Sequence, residues 1–167
     1  MTLSGANTYP GATTVSNGTL CINGSISNSI VTIEPSGTLS GSGTVYNVVT
    51  NMAGGKLSPG QNGFGTLTLA RSPVLQSGSV FMAIVNTNGT SGVLSVMGSL
   101  AVTNMILDLE AASNLNKSVS SFVIATATNG VSGPFLLKHL PGGWGVDYGS
   151  TNISITQRPE GFILIVN

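Results

Sequence analysis

A short phrase returns throughout this chain: glycine, then a small polar residue, then an aliphatic one. It reads Gly18-Thr19-Leu20, Gly37-Thr38-Leu39, Gly43-Thr44-Val45, Gly65-Thr66-Leu67, Gly78-Ser79-Val80 and Gly98-Ser99-Leu100, with Gly55-Lys56-Leu57 as a degenerate copy. Several copies lie roughly 18–20 residues apart, a period that signals a solenoid of stacked coils. Each coil of a solenoid touches only its neighbours, so flanks and ends become the useful surfaces.

Between the phrases run short apolar alternations bounded by Gly, Asn, Ser and Pro, which is strand patterning. Leu20 and Ile22 share one face and leave Cys21 outward. Leu67 goes with Leu69, Val80 with Met82 and Ile84, and Leu100 with Val102. Met105, Leu107 and Leu109 oppose Ile106, Asp108 and Glu110. No helical stripe is present, and Leu109–Leu115 is the one place for a short helical turn. Such strands suit a β-sandwich or a β-helix. A sandwich needs no repeat, and Thr, Ser and Asn at equivalent positions would stack as ladders between in-register parallel strands. The expected fold is therefore an all-β, right-handed parallel β-helix with coils of roughly 18–20 residues. About eight coils at about 4.8 Å each would give a rod of roughly 40 Å. One domain over 1–167 is expected, regular over 1–110 and closing over 111–167.

The opening Thr2-Leu3-Ser4-Gly5-Ala6-Asn7-Thr8-Tyr9-Pro10-Gly11-Ala12-Thr13-Thr14-Val15, followed by Gly18-Thr19-Leu20, resembles the autotransporter-associated β-strand repeat of bacterial surface proteins. Gly37–Val45 is similar to its next coil, and Leu57-Ser58-Pro59-Gly60 through Leu69 to the one after. Gly130–Phe135 and Tyr148 before Ile153 resemble the closing portion of such passengers. The resemblance implies a parallel β-helix outside the bacterial cell with a structural or adhesive role. It names no ligand, cofactor or catalytic residue.

Charge narrows the partners. Five basic and five acidic residues give a net charge of zero, and none lies between Ser72 and Leu107. No basic stripe could neutralise a run of phosphates, so nucleic acid is excluded as a partner. No apolar run has the roughly 18 residues of a membrane-spanning helix. An apolar fraction of 41% argues against disorder. A surface so poor in charge points to a chain outside the cell, or one that associates. The N-terminus carries no signal-peptide pattern, so export implies a processed or excised piece.

The candidate chemistry is sparse, and no enzyme is expected. Asp108 and Glu110 share a strand face, as paired acids do in glycan-cleaving β-helices, though a solvated strand face accounts for them. Gly142-Gly143-Trp144-Gly145-Val146-Asp147 matches the start of a calcium-binding nonapeptide. It occurs once, with Gly149 where the motif has an aliphatic residue, so it is read as a turn entering a strand with Trp144, Val146 and Tyr148 on one face. His139 falls in a loop. Trp144 and Tyr148 are the candidate ligand-facing aromatics, with surface glycans as the ligand class.

Copies of the chain itself, stacked head to tail, are the principal partner expected. The residues expected to carry that contact are Thr2 and Leu3, the lone Cys21, and Phe162, Ile163, Leu164, Ile165 and Val166, which are apolar on both faces. The opening Met1-Thr2-Leu3-Ser4 shows no cap, and uncapped solenoid ends are expected to stack into filaments.

Overall fold

The computed structural model describes residues 1–62, 64–85, 89–111 and 119–158. All regular structure among them is strand, wound as a parallel β-helix with three faces. On the first face lie Thr2–Leu3, the later parts of Thr13–Ile22 and Val31–Gly41, then Lys56–Pro59, Val80–Val85, Ile106–Ala111 and Leu136–Lys138. The second carries Ala6–Asn7, Ser25–Ile26, Thr44–Val45, Gly65–Leu69, Gly92–Val96 and Ser121–Ala127. The third begins with the early parts of Thr13–Ile22 and Val31–Gly41, followed by Val49–Asn51 and Val74–Leu75. In the two later coils its place in chain order is taken by the pair Leu100–Ala101 and Val131–Ser132.

The core is a set of identical-facing columns. Leu20, Leu39, Leu57, Phe81 and Leu107 stack rung on rung along the first face. Ile26, Val45, Leu69, Val96 and Ala127 do the same along the second. All ten are buried within one apolar cluster, each large aliphatic contributing about 1.5–3 kcal/mol relative to exposure. Polar side chains stack outside them, Thr14 over Thr32 and Thr50, and Ser40 over Ser58.

Glycine returns because consecutive coils touch at the corners. A Cβ on Gly37 would land on the Val15 carbonyl oxygen, and one on Gly43 on that of Gly24. The phrase consequently marks corners on every face, not a single column. Gly18, Gly37 and Gly55 head the first face, Gly43 the second, and Gly98 the third. Asparagines bind the same corners through side chains: Asn28 Nδ2 donates to the Thr8 carbonyl at 2.9 Å, and Asn47 Nδ2 to that of Asn28 at 3.1 Å. Arg71 Nε takes this place one coil later, donating to the Tyr46 carbonyl at 3.3 Å.

Two expectations are corrected. The 18–20-residue period describes only the first coils, where Thr2 faces Cys21 and Thr38 faces Lys56. Leu57 then faces Phe81, Phe81 faces Leu107, and Leu107 faces Leu137, so the steps grow to 24, 26 and 30. Chain is added between the first and second faces, and the rod is correspondingly shorter. Seven rungs on the first face span roughly 30 Å at about 4.8 Å each. Secondly, Val80, Met82 and Ile84 do not face the core; Phe81, Ala83 and Val85 do. Pairing of Val80 with Lys56 and of Phe81 with Leu57 fixes this frame, and a one-residue slip inverts a strand. The Leu109–Leu115 turn falls mostly outside the described residues, with Leu109 itself in the strand Ile106–Ala111.

The corner contact predicts a contrast between two glycines. Gly37→Ala should lose about 1–3 kcal/mol of stability through overpacking. Gly11→Ala, with open space around its Cβ, should stay within about 0.5 kcal/mol. Urea unfolding of the two variants measures the difference, and equal losses would refute the contact argument.

Candidate functional site

An in-register solenoid satisfies its strands from both sides except at its first and last rungs. At the N-terminal end, among the described residues, Thr2–Leu3 pairs only with Cys21–Ile22, and Thr13–Val15 has a partner only on the Val31 side. The chain start itself completes part of this edge. The Met1 ammonium donates to the Thr19 carbonyl at 2.9 Å, and Cys21 N donates to the Met1 carbonyl at 2.9 Å. What remains is a groove of about 360 Å³ running beneath Thr13–Leu20, with Leu3 and Tyr9 on its sides. Tyr9 Oη and Thr13 Oγ1 are hydrogen-bonded at 2.7 Å. Thr2 is exposed and Leu3 half-buried at this edge.

The two sheets end differently at the other extreme. Among the described residues, Leu136–Lys138 pairs only with Ile106–Asp108, and Leu136 and Leu137 are each 52% exposed. On the second face, Asn152–Gln157 pairs antiparallel to Ser121–Ala127, and Trp144–Tyr148 pairs antiparallel to it in turn. This hairpin corrects the expectation of an open stack at both ends, because it interrupts the parallel order of the second face.

Aromatic packing fixes the hairpin. The Trp144 ring lies 5.6 Å from that of Phe122, and the Tyr148 ring 6.4 Å from that of Phe135, which in turn meets Phe81 at 5.8 Å. Tyr148 crosses Gly133 so closely that a Cβ there would strike the ring, and its hydroxyl accepts from Phe135 N at 2.9 Å. Burial raises the Tyr148 phenol above its usual range, against the lowering effect of that amide. Trp144 and Tyr148 thus lie on one strand at the closing end, with both rings engaged in packing.

The expected site residues are scattered along the rod. Cys21 sits half-buried on the outside of the first face between Thr2 and Ser40, its thiol 3.5 Å from Asn23 Oδ1. Phe162–Val166 lie outside the described residues. Asp108 faces outward and ties the last two rungs together. Lys138 Nζ donates to its Oδ2 at 3.2 Å, and His139 Nδ1 to its Oδ1 at 2.8 Å. His139 reaches it from a left-handed backbone, φ +57°. Burial works to raise the Asp108 carboxyl, but the hydrogen bonds and charges of His139 and Lys138 outweigh it and hold the group below its usual value. Asp147 accepts from Thr156 Oγ1 and is ion-paired with Arg158, so a cation already occupies the carboxylate of the glycine-rich motif.

Sequence reasoning passed over Leu136 and Leu137. The apolar run Phe135-Leu136-Leu137 before Lys138 was the available signal, but only topology reveals that it is a terminal rung.

Residues 1–22 match the passenger-associated-transport-repeat family. That stretch is one complete turn, from the Thr2–Leu3 rung to the Cys21–Ile22 rung stacked on it. Residues 1–22 carry the passenger transport repeat. It is also similar to an extracellular serine protease of Serratia marcescens, 36% identical over 146 residues, which is 81% of this chain and 13% of that protein. A second relative is the adhesin BmaC autotransporter of Brucella suis biovar 1, 44% identical over 63 residues, 36% of this chain and 2% of that one. The chain thus spans a small part of either relative, and in this structure the repeat supplies the first, most regular coil.

The Asp108 cluster predicts a pH signature. A depressed carboxyl contributes stability above the unfolded value of about 3.9 and loses it as pH falls through the folded value. Because Lys138 and His139 are largely exposed, Asp108→Asn should cost no more than about 1 kcal/mol at pH 7. That difference should shrink as the pH drops below about 4. Urea titrations across that range check it; a gap that stays constant in acid would refute the assignment.

Proposed function

We propose that this chain is a non-enzymatic segment of a bacterial surface passenger, structural or adhesive in role, that associates end to end through its first face. The observation carrying the reading is the state of that face. Among the described residues, Thr2–Leu3 at one end and Leu136–Lys138 at the other each have one unpaired edge, and both strands run in the same direction. A last strand from one copy can therefore meet the first strand of the next in the parallel sense used throughout. Such a contact is heterologous and propagates into a filament. Within a longer polypeptide, the same edge accepts a neighbouring coil.

Exposed Leu136 and Leu137 supply apolar area to the contact, and the charge-free stretch from Ser72 to Leu107 leaves little repulsion between copies. An exterior location is supported by the relatives, one an extracellular serine protease and the other an autotransporter adhesin. The chain spans only 13% of that protease. A non-enzymatic role is supported by the adhesin relative and by Asp108 and Asp147, both of which are held by cations.

Sedimentation velocity and negative-stain microscopy over a concentration series test the association. The chain should form elongated particles that lengthen with concentration, and Leu136→Lys with Leu137→Lys should return it to monomer without changing its far-ultraviolet dichroism. Monomer alone at high concentration would refute association at the ends.

A further inference from the structure

On the outer side of the first face, a groove of about 330 Å³ lies against the first of the enlarged corners. Thr38 and Ser40 stand on one rung, Lys56 and Ser58 on the next, and Met82 two positions along the rung after that. Asn62 overhangs them from the corner loop. Two reciprocal pairs of backbone hydrogen bonds hold this loop. Gly41 N donates to the Gly60 carbonyl at 3.1 Å and receives from Gly60 N at 2.8 Å; Gln61 and Phe64 exchange bonds at 2.9 and 3.2 Å. Asn62 itself is in the left-handed region, φ +53°, a conformation that costs energy and concentrates at functional positions.

The polar groups of this groove are free. Elsewhere the molecule uses its asparagines to bind neighbouring coils, and it pairs Lys138 and Arg158 with carboxylates. Among the described residues, the side chains of Thr38, Ser40, Lys56, Ser58 and Asn62 have no hydrogen-bond or ion-pair partner. Ser58 is nonetheless only 8% exposed, at the floor. No carboxylate lines the groove, so the Lys56 charge is uncompensated there. On the rung beyond the hydroxyls, Met82 and Ile84 add apolar lining.

We propose that this groove binds an acidic saccharide chain, a uronic-acid oligosaccharide lying along the stacked rungs. Its carboxylate would pair with Lys56 Nζ, and its hydroxyls would exchange hydrogen bonds with Thr38, Ser40, Ser58 and Asn62. The C–H face of a sugar ring would rest on Met82. Hydroxyls repeating from rung to rung suit a ligand whose own hydroxyls repeat, and the single cation accounts for pairing one carboxylate of such a chain. This site is separate from the strand edges at the two ends, so its failure would leave end-to-end association standing.

Amide chemical shifts of ¹⁵N-labelled chain, titrated with galacturonate and guluronate hexamers and with neutral cellohexaose, test the proposal. At least one uronate should saturate, with shifts confined to Thr38–Ser40, Lys56–Asn62 and Met82, and binding should weaken as salt rises. Lys56→Gln should weaken it at least tenfold with its spectrum otherwise intact. Ser58→Ala should weaken it less, and Lys138→Gln, at the far end of the same face, should leave it unchanged. Absence of saturation by both uronates, or equal binding of cellohexaose with Lys56→Gln unaffected, would overturn it.

Discussion

One contact sets the geometry of this molecule: the carbonyl oxygen of one coil occupies the space where the next coil's side chain would begin. At Gly37 and Gly43 that space is already filled by the backbone of the coil before. Close corners bring strands of successive coils into parallel hydrogen-bonding register, and register determines every other feature. It stacks Leu20, Leu39, Leu57 and Phe81 inward while Thr19, Thr38, Lys56 and Val80 stack outward. In a fold with this constraint, side-chain identity can vary widely so long as the corner stays small and the inward column stays apolar.

The same constraint explains where the chain tolerates growth. Residues can be added between the first and second faces without disturbing either ladder, because a loop leaves the rod at one corner and returns one strand later. From Lys56 onward each coil is longer than the one before, and the described additions all lie on that side. Enlargement there turns a uniform outer face into one with a wall, and Asn62 overhangs the groove from it. A surface that differs from coil to coil is what a repeat fold needs if a ligand is to settle at one place along it.

The inward columns were legible in the sequence wherever apolar and polar residues alternate cleanly, as at Leu20-Cys21-Ile22 and Met105–Leu109. Legibility failed at Val80–Val85. Every residue of that run is apolar, so alternation cannot say which set faces in, and Phe81 wins its place only by stacking on Leu57. The lengthening of the later coils was hidden for a related reason. Gly65-Thr66-Leu67 and Gly98-Ser99-Leu100 repeat the phrase, but on different faces, so counting from glycine to glycine mixes the distance between corners with the distance between coils. Trp144 and Tyr148 were found as a pair on one strand face. That their rings are spent on Phe122 and Phe135 follows from residues more than a dozen positions away.

A parallel solenoid has direction, and its two ends need not be equivalent. Here the first face runs with unchanged sense from Thr2–Leu3 to Leu136–Lys138, whereas the second face ends in strands that reverse twice. The outermost of these, Trp144–Tyr148, runs in the sense of the parallel strands again, one strand beyond Asn152–Gln157. The closing end is thereby stepped: an apolar edge on the first face stands beside a projecting hairpin on the second. A flat edge would accept any strand, which is the hazard that exposed edges carry. A stepped end restricts that hazard, because the hairpin on the second face stands beside the edge on the first. Shape, added to strand direction, is what would make association at these ends selective for another coil of the same kind.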